Sequence, residues 1–118
     1  LGKLISERAN IPVARNKPVL GHGNFIRESG IGINFVMNDP LVMFGTHPSL
    51  TGKTGEVVLG KKSGKASIIY KMGELGMGAL QDEQIENILD KVKAAGIAKR
   101  DVLTNDEFKN IVAEVTTA

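Results

Sequence analysis

The chain has 118 residues, of which 42% are hydrophobic and 24% charged, with a formal net charge of +2. That suits one modest globular domain with a small core. It contains no Cys and no Trp, which excludes a disulfide framework, a thiolate metal site and a cysteine nucleophile. Charge is unevenly spread: residues 1–80 carry ten Lys/Arg and five Asp/Glu, and residues 81–118 carry five and eight. The basic part lacks the aromatic interleaving of nucleic-acid surfaces, so no nucleic-acid partner is expected. No apolar run approaches the roughly 18 residues of a membrane span, and no signal segment is visible, so a cytoplasmic chain without a membrane partner is expected.

In chain order, Leu1, Leu4 and Ile5 have helical spacing that stops at Asn10-Ile11-Pro12, the pattern of a helix tail whose beginning lies upstream. With Leu at position 1, the natural start of translation is expected elsewhere. Residues 12–55 hold all four prolines and seven of the fourteen glycines. A stretch this long without strong periodicity is unusual in a self-sufficient domain. It predicts an extended arm that lies against something else.

Glu56-Val57-Val58-Leu59 is a short strand-like run between Gly55 and Gly60,. From Ser63, a potential cap, the pattern turns helical, with Ile68, Ile69, Met72 and Leu75 on one face and Gly76 as a left-handed stop,. Asp82 opens the next helix, Ile85, Ile88, Leu89 and Val92 form its apolar stripe, and Gly96 is expected to end it,. In the last helix Thr104 and Glu107 have capping-box spacing, Leu103 and Phe108 the staple positions, and Phe108, Ile111, Val112 and Val115 the buried stripe,. The fold class is therefore α+β, mostly helical. Residues 1–11 are read as a helix tail, 12–55 as an extended Gly/Pro-rich arm, and 56–118 as a small cluster of three short helices with one short strand.

Residues 21–32 are the densest polar segment, with His22, Asn24, Arg27, Glu28 and Ser29 among glycines. An imidazole can act as acid or base near neutral pH and a guanidinium can grip a carboxylate. An Asn/Gly-rich turn with solvated charges has the same composition. His47 before Pro48 has no second ligand at metal spacing and reads as a surface turn residue, so no protein-only metal site is expected. Gly60-Lys61-Lys62-Ser63-Gly64-Lys65 fails the phosphate-loop pattern, because Gly60 and Gly64 enclose only three residues and Ala66 follows Lys65,. Two readings stay open there: an anion contact through Lys62, Ser63 and Lys65 at a helix start, or a Ser-capped helix with solvated lysines.

Four ordered segments carry a resemblance. Residues 11–21, Ile-Pro-Val-Ala-Arg-Asn-Lys-Pro-Val-Leu-Gly, are similar to "GIPVPPNKPIVG". Residues 24–31, Asn-Phe-Ile-Arg-Glu-Ser-Gly-Ile, are similar to "NAFAHESGIH". Pro48-Ser49-Leu50-Thr51-Gly52 is similar to "PELVG", and residues 57–66 are similar to "IVLGKHSGRAA". Together they resemble the region that follows the catalytic (β/α)₈ barrel of the 2-isopropylmalate, homocitrate and citramalate synthases, and the tail at residues 104–108 resembles "VTDEDL". The resemblance implies a transferase of amino-acid biosynthesis that joins acetyl-CoA to a 2-oxo acid. Its divalent metal and acetyl-CoA would be held by a barrel outside this chain, and no cofactor is expected within the chain itself.

The partners it implies are the chain's own barrel and a second subunit of a homodimer, whose active site the arm would help complete. The chain alone would be inactive. Arg27 and Gly32 stand where the family has two histidines, the second of which is its expected acid–base helper. Met43 or Phe44 replaces a family Tyr, and Lys62 replaces a His. His22 is the candidate catalytic substitute, and Arg27, Glu28 and Ser29 are the candidate substrate-binding residues. The rival reading is a non-catalytic helical interaction or regulatory module that binds a partner or an anionic ligand through the basic half.

Overall fold

The computed structural model describes residues 1–117. Its first helix, α1 (Gly2–Ala9), stops where Asn10 turns left-handed, at φ 53°. This is the stop expected at Asn10-Ile11-Pro12, because Asn tolerates that conformation and Pro12 cannot continue a helix. None of its residues is buried.

Residues 12–55 are not uniformly extended. They contain a two-residue strand, β1 (Ile26–Arg27), a six-residue helix, α2 (Ile33–Asn38), and 3₁₀ turns at Pro40–Val42 and Pro48–Thr51. The helix is too short to show periodicity in the sequence, and tertiary contact stabilises it. Val36 and the half-buried Met37 join Phe25 and Phe44 in a small cluster of their own. The two rings meet edge to face, with centroids 5.2 Å apart, the arrangement aromatic quadrupoles favour.

The expected strand is present but short. β2 (Glu56–Val57) pairs in parallel with β1, Ile26 opposite Glu56 and Arg27 opposite Val57. Leu59 instead makes an antiparallel bridge to Leu103. Beyond it lie three helices, α3 (Lys65–Glu74), α4 (Asp82–Lys99) and α5 (Asn105–Thr117). The fold is mostly helical α+β, as expected.

The main core packs Ile68 and Met72 of α3 against Ile85, Ile88, Leu89 and Val92 of α4 and Phe108 and Val112 of α5. Thr104 and Glu107 form the expected capping box: the Thr104 N–H donates to Glu107 Oε2 at 2.7 Å, and the Glu107 N–H donates to Thr104 Oγ1 at 3.2 Å. Three local expectations change. Ser63 is not the cap of α3: Gly64 holds that position, and its N–H donates to Ser67 Oγ at 3.5 Å. Ile69 lies outside the core and is 55% exposed. Gly96 does not end α4, which runs on to Lys99 with Arg100 as its left-handed cap.

The whole is elongated, 52 × 29 × 22 Å with a radius of gyration of 16.2 Å. A compact domain of this length would have roughly 13.5 Å. The excess lies with the thinly cored first half.

Candidate functional site

Two segments far apart in sequence make one joint. Pairing of β1 with β2, through Glu56 N–H to Phe25 O at 3.0 Å and Val58 N–H to Arg27 O at 2.9 Å, sets the loop Glu28–Ile31 beside the turn Gly60–Gly64. The Glu28 carboxylate then accepts the Lys62 backbone N–H at 3.0 Å. Ser63, 3% exposed, donates its hydroxyl to Glu28 O at 3.3 Å and accepts from the Gly60 N–H at 3.0 Å. Glycine is required on both sides. A Cβ on Gly30 would lie 2.7 Å from Gly64 Cα, and one on Gly60 would lie 2.6 Å from Glu28 Oε1.

The joint thus gathers Arg27, Glu28, Ser29, Lys62 and Ser63. Arg27 donates from Nη2 to Ile31 O at 3.0 Å, and its Nε is buried without a hydrogen-bond partner among the described residues. Ser29 Oγ accepts the Ile31 N–H at 3.3 Å. Lys65 points away from the loop and pairs with Glu86 at 2.5 Å. The hydrogen bond between them holds the Glu86 carboxyl below, and the Lys65 ammonium above, its ordinary range. Within the turn, the anion that meets the Lys62 N–H is the chain's own Glu28.

His22 is placed elsewhere. It is exposed and lines a cleft of about 570 Å³ with Ser6 and Glu7 of α1 and with Thr51 and Lys53. No hydrogen bond or ion pair among the described residues joins it to Arg27, Glu28 or Ser29. His47 accepts the Ser49 N–H on Nδ1 at 3.3 Å and so caps a 3₁₀ turn. Gly32 has φ 72°, and a Cβ there would lie 3.0 Å from Met43 Sδ. Two of the positions at which the chain departs from the resembled pattern, Gly32 and Met43, are therefore neighbours.

A second cleft, of about 560 Å³, is lined by Arg15, Glu28, Lys61, Ile97, Arg100 and Asp101 among others. Sequence reasoning missed Arg15 and Arg100 because nothing local marks them; the course of α4 past Gly96 brings Arg100 to the cleft that Arg15 and Lys61 also line. No group of three His, Asp or Glu suited to a metal ion occurs among the described residues. No helix among them is long and apolar enough to cross a membrane.

A family model described as homocitrate synthase post-HMGL domain-like matches residues 19–100. The chain belongs to this family. This post-HMGL domain is 33% identical over 115 residues to the homocitrate synthase AksA of Methanopyrus kandleri, covering 98% of the chain and 28% of that relative. It is 32% identical over 105 residues to the 2-isopropylmalate synthase of Bradyrhizobium diazoefficiens, covering 88% of the chain and 20% of the relative. With the (R)-citramalate synthase CimA of Methanocaldococcus jannaschii it shares 28% identity over 116 residues, covering 98% of the chain and 23% of the relative. The chain therefore spans less than a third of the length of these relatives, and its similarity is to synthases of the transferase type. The matched span includes β1, the Glu28 joint and α3, and ends at the cap of α4.

Proposed function

We propose that the chain works as the post-barrel section of an acyl-CoA-dependent synthase that condenses acetyl-CoA with a 2-oxo acid. In this reading it docks on its own barrel, and residues 12–55 reach a second subunit and help complete that subunit's active site. The supporting observation is the distribution of exposed apolar side chains. Twelve of the fourteen large exposed hydrophobic residues among those described fall within residues 1–50, including Leu4, Ile11, Ile31, Phe35, Leu41 and Leu50. Residues 31–50 carry a single charged side chain, Asp39. Apolar surface depleted of charge is what interfaces cover, and the relatives have a further two thirds or more of chain to cover it.

Within this assignment the loop Arg27–Ile31 is the edge nearest the substrate. Arg27 keeps guanidinium donors beyond its bond to Ile31 O, and a planar fork of that kind suits a 2-oxo acid carboxylate. Glu28 and Ser29 fix the loop that presents it. His22 lines a cleft of its own, and it serves the reaction only where the docked neighbour brings the reacting atoms to it. The metal and acetyl-CoA belong to the barrel.

The test is acetyl-CoA-dependent thiol release by a barrel-only protein with and without this chain added. Restored release, and its loss with Arg27→Ala, is expected. A barrel fully active alone, or one indifferent to both the chain and Arg27, overturns the reading.

A further inference from the structure

We propose that the cleft between Arg15, the Lys61 turn and the end of α4 is a binding site for a multiply charged oxyanion of the phosphate type. The site is formed by the way α4 ends. Gly96 lies directly on the turn, with a Cβ there only 2.9 Å from Lys61 N and 3.0 Å from Gly60 Cα. Because the helix packs so closely it continues past the glycine, and its last turn delivers Arg100 to the cleft that Lys61 and Arg15 also line. Arg100 occupies the left-handed cap at φ 58°, a position usually taken by Gly or Asn.

Three cations from three separate segments therefore face one space of about 560 Å³. None of the three is in an ion pair among the described residues, although Lys3, Lys65, Lys71, Lys91 and Lys99 all are. The cleft also holds two carboxylates, each fixed by a backbone donor and still charged: Glu28 accepts from the Lys62 N–H at 3.0 Å, and Asp101 accepts from the Val102 N–H at 2.7 Å. The carbonyl end of α4 carries about half a negative charge, so the three cations leave the lining, carboxylates included, with a small positive excess. Two guanidinium forks and an ammonium match the several oxygens of a phosphate group. Ile97, 62% exposed on the same wall, offers an apolar surface to the organic part of a phosphate ester. The site is distinct from the turn donors Lys62 and Ser63, neither of which lines it.

The test is a titration of the 118-residue chain with sodium pyrophosphate, and separately with citrate, at matched low ionic strength, followed by backbone amide shifts. Arg100→Gly is the informative variant, because glycine suits the left-handed cap and leaves the fold intact. Saturable shifts confined to residues 15, 28, 60–61 and 96–102 are expected, with a pyrophosphate Kd below about 1 mM that Arg100→Gly weakens by about tenfold. Lys61→Ala should weaken it similarly, and Lys109→Ala should leave it unchanged. Non-saturating shifts, shifts spread over the basic surface, or undiminished binding by Arg100→Gly would overturn the proposal. Citrate binding as tight as pyrophosphate would overturn the phosphate assignment.

Discussion

The Glu28 carboxylate takes the Lys62 backbone N–H at 3.0 Å across 34 residues of chain, and this bond fastens the β1 loop to the turn before α3. Hydrogen bonds to charged acceptors contribute about 1.5–3 kcal/mol, and partial exposure puts this one near the lower end. Glu28→Ala should lower unfolding stability by about 1–2 kcal/mol, seen as a lower urea midpoint with unchanged slope. Glu28→Gln keeps an acceptor without the charge and should cost less. Equal losses from the two variants would mean that the bond contributes little.

The glycines separate by what surrounds them. Gly30→Ala and Gly96→Ala place a methyl group against backbone at 2.7 and 2.9 Å and should each destabilise by about 1–3 kcal/mol. Gly73 lies inside α3 with open space around it. Gly73→Ala should therefore stabilise by up to about 1 kcal/mol. Thermal melts of the three variants check the order, and a neutral Gly96→Ala would contradict the close packing of α4 on the turn.

The capping box of α5 gives a pH dependence. The Lys99 ammonium, and then the Thr104 N–H, hold the Glu107 carboxyl below its ordinary value of 4.5. A carboxylate lowered by folding stabilises fully above its unfolded pKa, and the contribution is lost as pH falls through the lower folded value. Stability should therefore be level above about pH 4.5 and decline below it, less steeply in Glu107→Gln. Thr104→Ala should cost about 1 kcal/mol at neutral pH. Urea midpoints between neutral and acid pH measure both effects.

The three-helix part was legible in the sequence because its signals are local: Ile85, Ile88, Leu89 and Val92 repeat at helical spacing, and Thr104 and Glu107 are a self-contained pair. Residues 12–55 were less so. α2 exists because Phe25 and Phe44 close over Val36, a relationship between positions eight and more residues apart that leaves no periodic trace. The continuation of α4 past Gly96 was hidden for a related reason. A glycine marks a helix end only when nothing packs on it, and here the Lys61 turn does.

The candidate site divides in the same way. Polar density at residues 21–32 marked Arg27, Glu28 and Ser29, and the parallel β1–β2 pairing joins them to Ser63. His22 belongs to the same sequence cluster but to a different cleft, because the chain turns between Gly23 and Phe25. The departure at Gly32 has a physical counterpart: its left-handed backbone abuts Met43, so a histidine restored there would meet both backbone strain and a sulfur.

Amide hydrogen exchange on this chain, alone and with a barrel of the family added, tests most directly whether residues 1–50 are built to be covered by a neighbour. The account expects fast exchange through α1 and residues 31–50 in the isolated chain, slow exchange in α3, α4 and α5, and strong protection of the first half once the barrel is present. Slow exchange across residues 1–50 in the isolated monomer, unchanged by the barrel, would contradict it.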